Sequence, residues 1–479
     1  MKKAIAAAAI SLALIGAACD SFIQGPGLTE NPNSPTGGTI QQQLISLQAA
    51  LSVQFEGQLA RTAGMFTQQI IGSNNQQLQQ GTQYNTQEND ISAFMSRFYT
   101  GGGLLGLRNL QTGANAAGDK FLEGVGNVLE GFEMGTATSL WGDLPYSEAL
   151  KPEILTPKLD TQQDIYTEVQ KRLDAGIALL KAAPTTGVCE TADLFYCATG
   201  VTRATEINRW VAAANTMKAR FYLDLVERNG NAAYTLALAA AQQGIGEAPT
   251  SAANAMIGAG PGDFRTFHGS TQDVDGNIWG EFLSQRQDIV AGDKLVSLMK
   301  ARNDTRLSNY FDANAQGLII GMDQNAKVIG GSAASVINTT IRRSFTFRQP
   351  LVTWAENQLI QAEAKFKLTG AAAALPHVNA VRQSVGMAAL PDVTFDDVMT
   401  EKYIAMFQNI TVWADFKRTC IPALKTFGTA TEVPGRLPYG SAERTNNPNL
   451  PLPSAYPTGT TGAGKVRNWN DPNACPVAP

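Results

Sequence analysis

Two long polar loops carry the side chains best suited to binding chemistry. The candidates are Asn74, Gln83, Tyr84 and Asn85 in the loop 72–89, and Asp263, Phe267 and Trp279 in the loop 248–280. Amides and carboxylates hydrogen-bond to hydroxyl groups, while aromatic rings offer flat apolar faces. The loops therefore predict a site for an uncharged polar ligand, with Tyr84 and Trp279 as stacking faces. Burial of Trp279 as a core anchor fits the sequence equally well.

Enzyme chemistry has little support in this sequence. The two histidines, His268 and His377, are isolated, and the chain has no nucleophile elbow, HExxH motif or phosphate-binding loop. A pair of carboxylates can hydrolyse glycosides without a local motif, so Asp143 and Glu148 are the candidates for that least favoured alternative. We expect a protein that is not an enzyme and has no cofactor.

A short acidic segment resembles the beginning of a calcium loop. Asp273, Asp275 and Asn277 place oxygen atoms at alternate positions, with Gly276 available for a sharp turn. The glutamate that closes such a loop is replaced by Ser284. A plain Asp-Gly turn is therefore the preferred interpretation, and no metal is expected.

The N-terminus predicts export. Two lysines precede an apolar run over residues 4–15, and small residues lead to Cys19. This order is typical of a signal peptide, which we assign to residues 1–18. Cys19 resembles the lipid-accepting cysteine of a bacterial lipoprotein, although an ordinary signal peptide followed by an unrelated cysteine is an alternative. Residues 19–40 are rich in Pro and Gly and predict a lipidated, extended tether, leaving 41–479 as a single domain.

Four further cysteines fit an oxidising compartment. They are Cys189, Cys197, Cys420 and Cys475. Four cysteines allow three pairings, and we predict Cys189 with Cys197 and Cys420 with Cys475. Free, buried thiols are the alternative, which export makes less favourable.

Charge and periodicity limit the partners and the fold class. The chain has 37 basic and 41 acidic residues and no basic stripe, which argues against a nucleic-acid partner. Apolar residues recur at helical spacing over 121–140, over 165–180 after the candidate N-cap Thr161, and over 210–225, 351–368 and 371–387. Alternating strand patterns are scarce. The sequence predicts an all-α fold of paired helices with long irregular loops.

An ordered set of segments resembles the SusD/RagB family of nutrient-binding lipoproteins. The segments are WGDLPYSEA at 141–149, NDTRLSNYF at 303–311, ENQLIQAEA at 356–364, NAVR at 379–382, EKYIAMF at 401–407, WADFKR at 413–418 and RLPY at 436–439. These segments span most of the chain and occur in the same order along it as in members of the family. Thr305 and Gly440 depart from it, since the family prefers proline at both positions.

This resemblance implies a SusD-like fold of tetratricopeptide-like helical hairpins with ligand-facing loops. It also implies a surface-exposed lipoprotein of the outer membrane that captures oligosaccharides and delivers them to a SusC-like TonB-dependent transporter. One alternative is a member of the family that binds oligopeptides. Another is a structural or adhesion lipoprotein without a small ligand.

Most of the motif residues are expected to hold the fold together. Asp304 and Arg306, two residues apart, should pair with neighbouring side chains and not with a ligand. Glu363 and Arg382 are candidates to bridge two packed helices. Trp141 and Trp210 lie on apolar helical faces and should belong to the core.

Overall fold

The computed structural model describes residues 38–100, 102–271, 275–325, 333–428, 430–451 and 467–476. The predicted signal peptide, Cys19 and most of the predicted tether lie outside these residues. The chain divides into two units, residues 1–43 and 44–479. The described part of the first unit, 38–43, contains the start of the first helix, and the second unit contains the remaining elements.

Helices dominate the described residues, whereas strands are few and short. The helices are α1 (Ile40–Glu56), α2 (Gln58–Phe66), α3 (Asn75–Gln77), α4 (Glu88–Arg97), α5 (Leu104–Ala117), α6 (Lys120–Trp141), α7 (Gln162–Lys181), α8 (Arg203–Leu223), α9 (Val226–Ala241), α10 (Ala252–Met256), α11 (Ile278–Gln285), α12 (Asp293–Ala301), α13 (Leu307–Tyr310), α14 (Trp354–Leu368), α15 (Ala371–Ser384), α16 (Phe395–Ala405), α17 (Thr411–Thr419) and α18 (Ser441–Asn446). A π-helical turn (Leu78–Thr82) follows α3, and the strands are β1 (Ile70–Gly72), β2 (Phe264–Arg265), β3 (Ile289–Ala291) and β4 (Pro350–Val352). The predicted mainly helical fold is confirmed.

Side-chain caps set the beginnings of the long helices. The Thr161 hydroxyl accepts the Asp164 N–H at the start of α7, as the sequence predicts. Asp119 accepts the Leu122 N–H at the start of α6. Each cap satisfies a backbone N–H that has no partner within the helix.

The long helices pack in chain order. Helix α6 packs on α5 and α7, α8 packs on α7 and α9, and α14 packs on α9 and α15. Glycines allow close approach: a Cβ at Gly131 of α6 would lie 2.8 Å from the Leu173 side chain of α7, and one at Gly176 of α7 would lie 2.7 Å from Val128 of α6. Trp141 and Trp210 are fully buried, as expected of core residues. No described helix combines the length and apolar character that crossing a membrane requires.

Buried ion pairs join α14, α16 and α17. Arg306 lies 2.6 Å from both Asp304 and Glu401, so Asp304 and Arg306 pair with neighbouring side chains as expected. The expected Glu363–Arg382 bridge is wrong. Glu363 instead pairs with Arg418 of α17, whereas Arg382 lies 3.4 Å from Glu401. The reason is that the nearest opposite charge to Glu363 comes from α17, whereas the nearest opposite charge to Arg382 comes from α16.

Two disulfides and two small sheets tie the irregular segments to the helices. Cys189 is bonded to Cys197, and Cys420 is bonded to Cys475. Antiparallel pairing joins β1 to β3, with Gly72 opposite Ile289, and β2 to β4, with Phe264 opposite Val352. The sheets thereby connect loops that lie far apart in sequence.

Candidate functional site

The pairing of β1 with β3 builds an exposed surface rich in side-chain amides. Because the strands are antiparallel, the residues after β1 lie beside those before β3. The Ser73 N–H donates to the Asp288 carbonyl at 2.8 Å, and the Asn75 amide donates to the Asp288 carboxylate at 3.0 Å. We call this surface the amide-rich face and define it by its exposed members: Asn74, Asn75, Gln76, Gln79, Ser284, Gln285, Arg286 and Gln287.

A buried arginine supports this face from below. Arg61 of α2 donates to the Gln58 side chain, which also accepts from Gln77 of α3. The Arg61 guanidinium lies 4.1 Å from the ring centroid of Phe282 in α11. Burial, together with the nearby charge of Arg286, lowers the pKa of Arg61 to about 9. Arg61 therefore holds the Gln58 and Gln77 side chains in place beneath the face.

The predicted residues of the first loop divide between the surface and the core. Asn74 lies on the amide-rich face, where its side chain accepts the Asn75 N–H at the start of α3. Gln83 and Asn85 are half-buried. Tyr84 is only 3% exposed, and its ring packs edge-on against Phe66 at 5.7 Å. The expected stacking face at Tyr84 is thus corrected: the ring serves as a core anchor.

The predicted residues of the second loop divide in the same way. Trp279 has 0% exposure, so the expected stacking face is corrected in favour of the anchor interpretation. Asp263 is buried and accepts the N–H groups of Gly260 at 2.8 Å and Trp354 at 2.6 Å. Because these bonds hold its carboxylate inside, the expected ligand contact at Asp263 is also corrected. Phe267 is 46% exposed and is the aromatic candidate whose ring a ligand can reach.

A buried histidine–carboxylate pair fixes the segment that follows Phe267. The His268 Nε2 lies 2.8 Å from a Glu56 carboxylate oxygen. The Asn277 amide donates to the same carboxylate at 3.0 Å. Burial alone lowers the pKa of His268, but hydrogen bonding to Glu56 and its charge outweigh this effect, so the pKa is raised. Phe267 is thus attached to a segment held firmly against the end of α1.

The calcium candidates make other contacts. Asp273 lies outside the described residues. The Asp275 carboxylate accepts the Thr271 N–H at 3.0 Å, and the Asn277 side-chain oxygen caps α11 by accepting the Trp279 N–H at 2.9 Å. The described residues contain no group of three or more His, Cys, Asp and Glu side chains placed to hold a metal ion.

The two carboxylates considered for glycoside hydrolysis hold loop backbone. The Asp143 carboxylate accepts the Gln162 N–H at 2.8 Å. The Glu148 carboxylate accepts the Lys158 N–H at 3.0 Å, and this bond lowers the pKa of Glu148. A general acid needs a raised pKa near neutrality, so this shift has the wrong direction for Glu148 in that role.

A separate cleft of about 460 Å³ lies between the end of α4, the 145–157 segment and α18. None of the residues predicted to bind ligand lines it. Its walls come from three parts of the chain that are distant in sequence, so no local pattern reveals them. The available signal is the presence of Leu150 and Leu155 in a Pro-containing loop.

A mainly helical array that carries irregular, polar surface loops is the structural class of this protein. Residues 32–440 match the SusD-like family model described as "Starch-binding associating with outer membrane". Because this match covers most of the chain, the chain belongs to the SusD-like family. A comparison with curated protein sequences finds no match.

Solved structures of the same fold support this assignment. A SusD/RagB family protein from Bacteroides thetaiotaomicron superposes with a TM-score of 0.71 at 19% identity, covering 91% of this chain and 99% of that one. A chitin-binding SusD homologue from Flavobacterium johnsoniae gives 0.72 at 18% identity, covering 90% and 98%. A protein described as chitin-binding gives 0.70 at 22% identity, covering 91% and 100%.

Proposed function

We propose that this protein is a lipid-anchored binding protein of the outer membrane that captures oligosaccharides at the cell surface and delivers them to a SusC-like TonB-dependent transporter. Membership of the SusD-like family is the observation that carries this proposal. In this proposal Cys19 bears the lipid, and the protein acts by binding, without catalysis and without a cofactor. Two structural neighbours described as chitin-binding give further support to a glycan as cargo.

The amide-rich face is the proposed capture surface. Each side-chain amide supplies both donors and acceptors, as does each sugar hydroxyl. An ensemble of such contacts without deep burial gives modest affinity, which suits a protein that must release its cargo to a transporter. Gln76 and Gln285 are exposed members whose side chains make no hydrogen bond within the described residues, so they are free to contact a ligand.

Calorimetric titration of the mature chain beginning after Cys19 tests the capture surface. The ligands are a panel of neutral oligosaccharides and, separately, oligopeptides. Replacing Gln76 and Gln285 together with alanine should weaken glycan binding about tenfold, since two hydrogen bonds of about 0.7 kcal/mol each are lost. The matched control replaces Gln163 and Gln242, two exposed glutamines on α7 and after α9.

The two pairs of substitutions should leave folding unchanged, because exposed side chains without partners contribute little to stability. Glycan binding that is equally affected by both pairs would exclude the amide-rich face as the capture surface. Binding of peptides in place of glycans would make the protein a peptide-binding member of the family. No binding across the whole panel would favour the structural or adhesion alternative.

Anchoring and delivery need a separate experiment in the native host. Wild-type protein should fractionate with the outer membrane and co-purify with a barrel transporter. Replacing Cys19 with alanine should release the protein from the membrane fraction, because the acyl chains supply the anchoring free energy. A variant that stays in the membrane fraction would contradict lipid attachment at Cys19.

A further inference from the structure

The cleft beside α18 has the size and lining of a ligand site. Its volume of about 460 Å³ falls within the range of roughly 300–1,000 Å³ that is usual for small-molecule sites. Met95, Pro145, Leu150, Leu155 and Leu450 make most of its wall apolar. The lining differs in kind from the amide-rich face, which presents polar groups over an open surface.

Two features of the 145–157 segment are unfavourable for the isolated protein. Leu155 is 85% exposed at the edge of the cleft. Leu150 has a backbone φ of +64°, a left-handed conformation that costs free energy for any residue with a Cβ. Strained backbone of this kind clusters at active sites and at segments that clamp ligands. A ligand group placed against these leucines would remove apolar surface from water.

Polar groups line the cleft from two directions: Ser96, Tyr99 and Thr100 at the end of α4, and Glu443, Asn446 and Asn447 in and after α18. The Glu443 carboxylate accepts hydrogen bonds from the hydroxyls of Ser96 and Ser92 of α4. It has no ion pair with any described Lys or Arg, because the adjacent Arg444 pairs with Glu88 at 2.8 Å. Asn446 follows Glu443 by three residues and is exposed, and residues at this spacing are neighbours on a helix surface. Helix α18 therefore offers the cleft one strong acceptor and one exposed amide, both facing the apolar wall.

We propose that this cleft is a subsite for the acetamido group of an N-acetylated sugar. A secondary acetamide presents one N–H donor, one carbonyl acceptor and one methyl group. The N–H would donate to Glu443, the carbonyl would accept from the Asn446 amide, and the methyl would pack against Met95 and Leu150. The inference rests on the proposed function in that it assumes a glycan as cargo, and it adds a second contact region with its own chemical selectivity.

The apolar wall argues against two related ligands. A sugar with only hydroxyl substituents would leave some of them facing leucine and methionine without hydrogen-bond partners, which costs free energy. An ammonium group, as in a deacetylated amino sugar, would lose its hydration against the same wall. The acetamido group satisfies both the polar and the apolar part of the cleft.

Three disaccharides test the selectivity by calorimetric titration of the mature chain: N,N′-diacetylchitobiose, its deacetylated form and cellobiose. We expect the diacetylated sugar to bind at least about tenfold more tightly than cellobiose, because one buried methyl and one charge-assisted hydrogen bond distinguish the two ligands. Glu443→Gln and Asn446→Ala should each reduce this preference severalfold. Asn231→Ala, which removes an exposed asparagine from α9, is the matched control.

The results separate this inference from the proposed function. Equal affinity for the diacetylated sugar and cellobiose, tighter binding of the deacetylated sugar, or full selectivity in both variants would overturn the acetamido subsite. In each of these cases glycan binding that depends on Gln76 and Gln285 would leave the proposed function intact. Competition by a leucine-containing tripeptide at the cleft would also overturn the subsite, by assigning it to peptides. Absence of binding by every oligosaccharide tested would refute the proposed function and the subsite together.

Discussion

Replacing Glu363 with glutamine should destabilise the protein strongly. Glu363 of α14 accepts from Arg418 of α17 at 2.7 Å and lies 3.5 Å from Lys402 of α16. Asp415 completes the group, 2.9 Å from Lys402. The Glu363, Lys402 and Arg418 side chains are almost wholly buried. These four side chains carry two positive and two negative charges, and the substitution leaves one positive charge uncompensated.

The expected loss in the free energy of unfolding is about 3–5 kcal/mol, the usual cost of leaving one partner of a buried ion pair without its counter-charge. Restoring electrical neutrality among these side chains should recover part of the lost free energy of unfolding. The double variant Glu363→Gln with Arg418→Met retains the Lys402–Asp415 pair. Its cost should be at least about 2 kcal/mol less than the sum of the two single variants.

Urea unfolding of the four proteins in this cycle measures both quantities. The control is Glu168→Gln, which removes an exposed pair with Lys171 and should cost less than about 0.5 kcal/mol. A loss below about 1 kcal/mol for Glu363→Gln would refute the reasoning. Strictly additive costs in the double variant would refute it as well, because they would mean that the two side chains do not interact.

Three further predictions concern the Phe267 segment, the aromatic core and the C-terminus. The raised pKa of His268 means that the folded protein holds this proton more tightly than the unfolded chain does. The resulting stabilisation is complete below about pH 6.5 and is lost as the pH rises through the folded-state value. The free energy of unfolding should therefore fall with pH across this range, with a slope that His268→Gln reduces and to which Glu206, whose pKa burial raises to about 8, also contributes. An unchanged slope would contradict the pairing with Glu56. Trp279→Ala should lower stability by about 3–5 kcal/mol in urea unfolding, whereas a loss below about 1 kcal/mol would mean that the ring is not a core anchor. Replacing Cys420 and Cys475 with serine should cost about 4 kcal/mol, from the 55-residue separation that their disulfide closes, and equal urea midpoints for the two proteins would show that the bond contributes nothing.

The helices could be predicted well from the sequence because their signals are local. Apolar spacing over 121–140 and 165–180 corresponds to α6 and α7, and the capping residue Thr161 begins α7 as predicted. Pairing of Asp304 and Arg306 with neighbouring side chains was also predicted, since opposite charges lie only two residues apart there. The Glu363–Arg382 prediction failed because opposite charge alone does not tell which of several packed helices supplies the partner.

The candidate site was harder to predict because its parts are distant in sequence. Loop polarity indicated the part of the amide-rich face that follows β1, but it missed the part at 284–287 and did not tell which aromatic side chains are exposed. Tyr84 and Trp279 lie in polar loops and yet anchor them to the core. The pairing of β1 with β3, which brings Asn75 to Asp288, leaves almost no sequence signal because both strands are only three residues long.

The buried charges also bear on how the helices find their correct neighbours. The core around α8, α9 and α14 is rich in alanine, and alanine faces are so alike that many wrong helix pairings would bury similar apolar area. A wrong pairing of α17 would place Arg418 in the interior without Glu363. The free-energy penalty of that unpaired buried charge would exceed what the apolar contacts contribute. The ion pairs thus discriminate between arrangements that hydrophobic packing alone would leave nearly equal in energy. They give the scaffold one order of helices, independently of the polar surface loops.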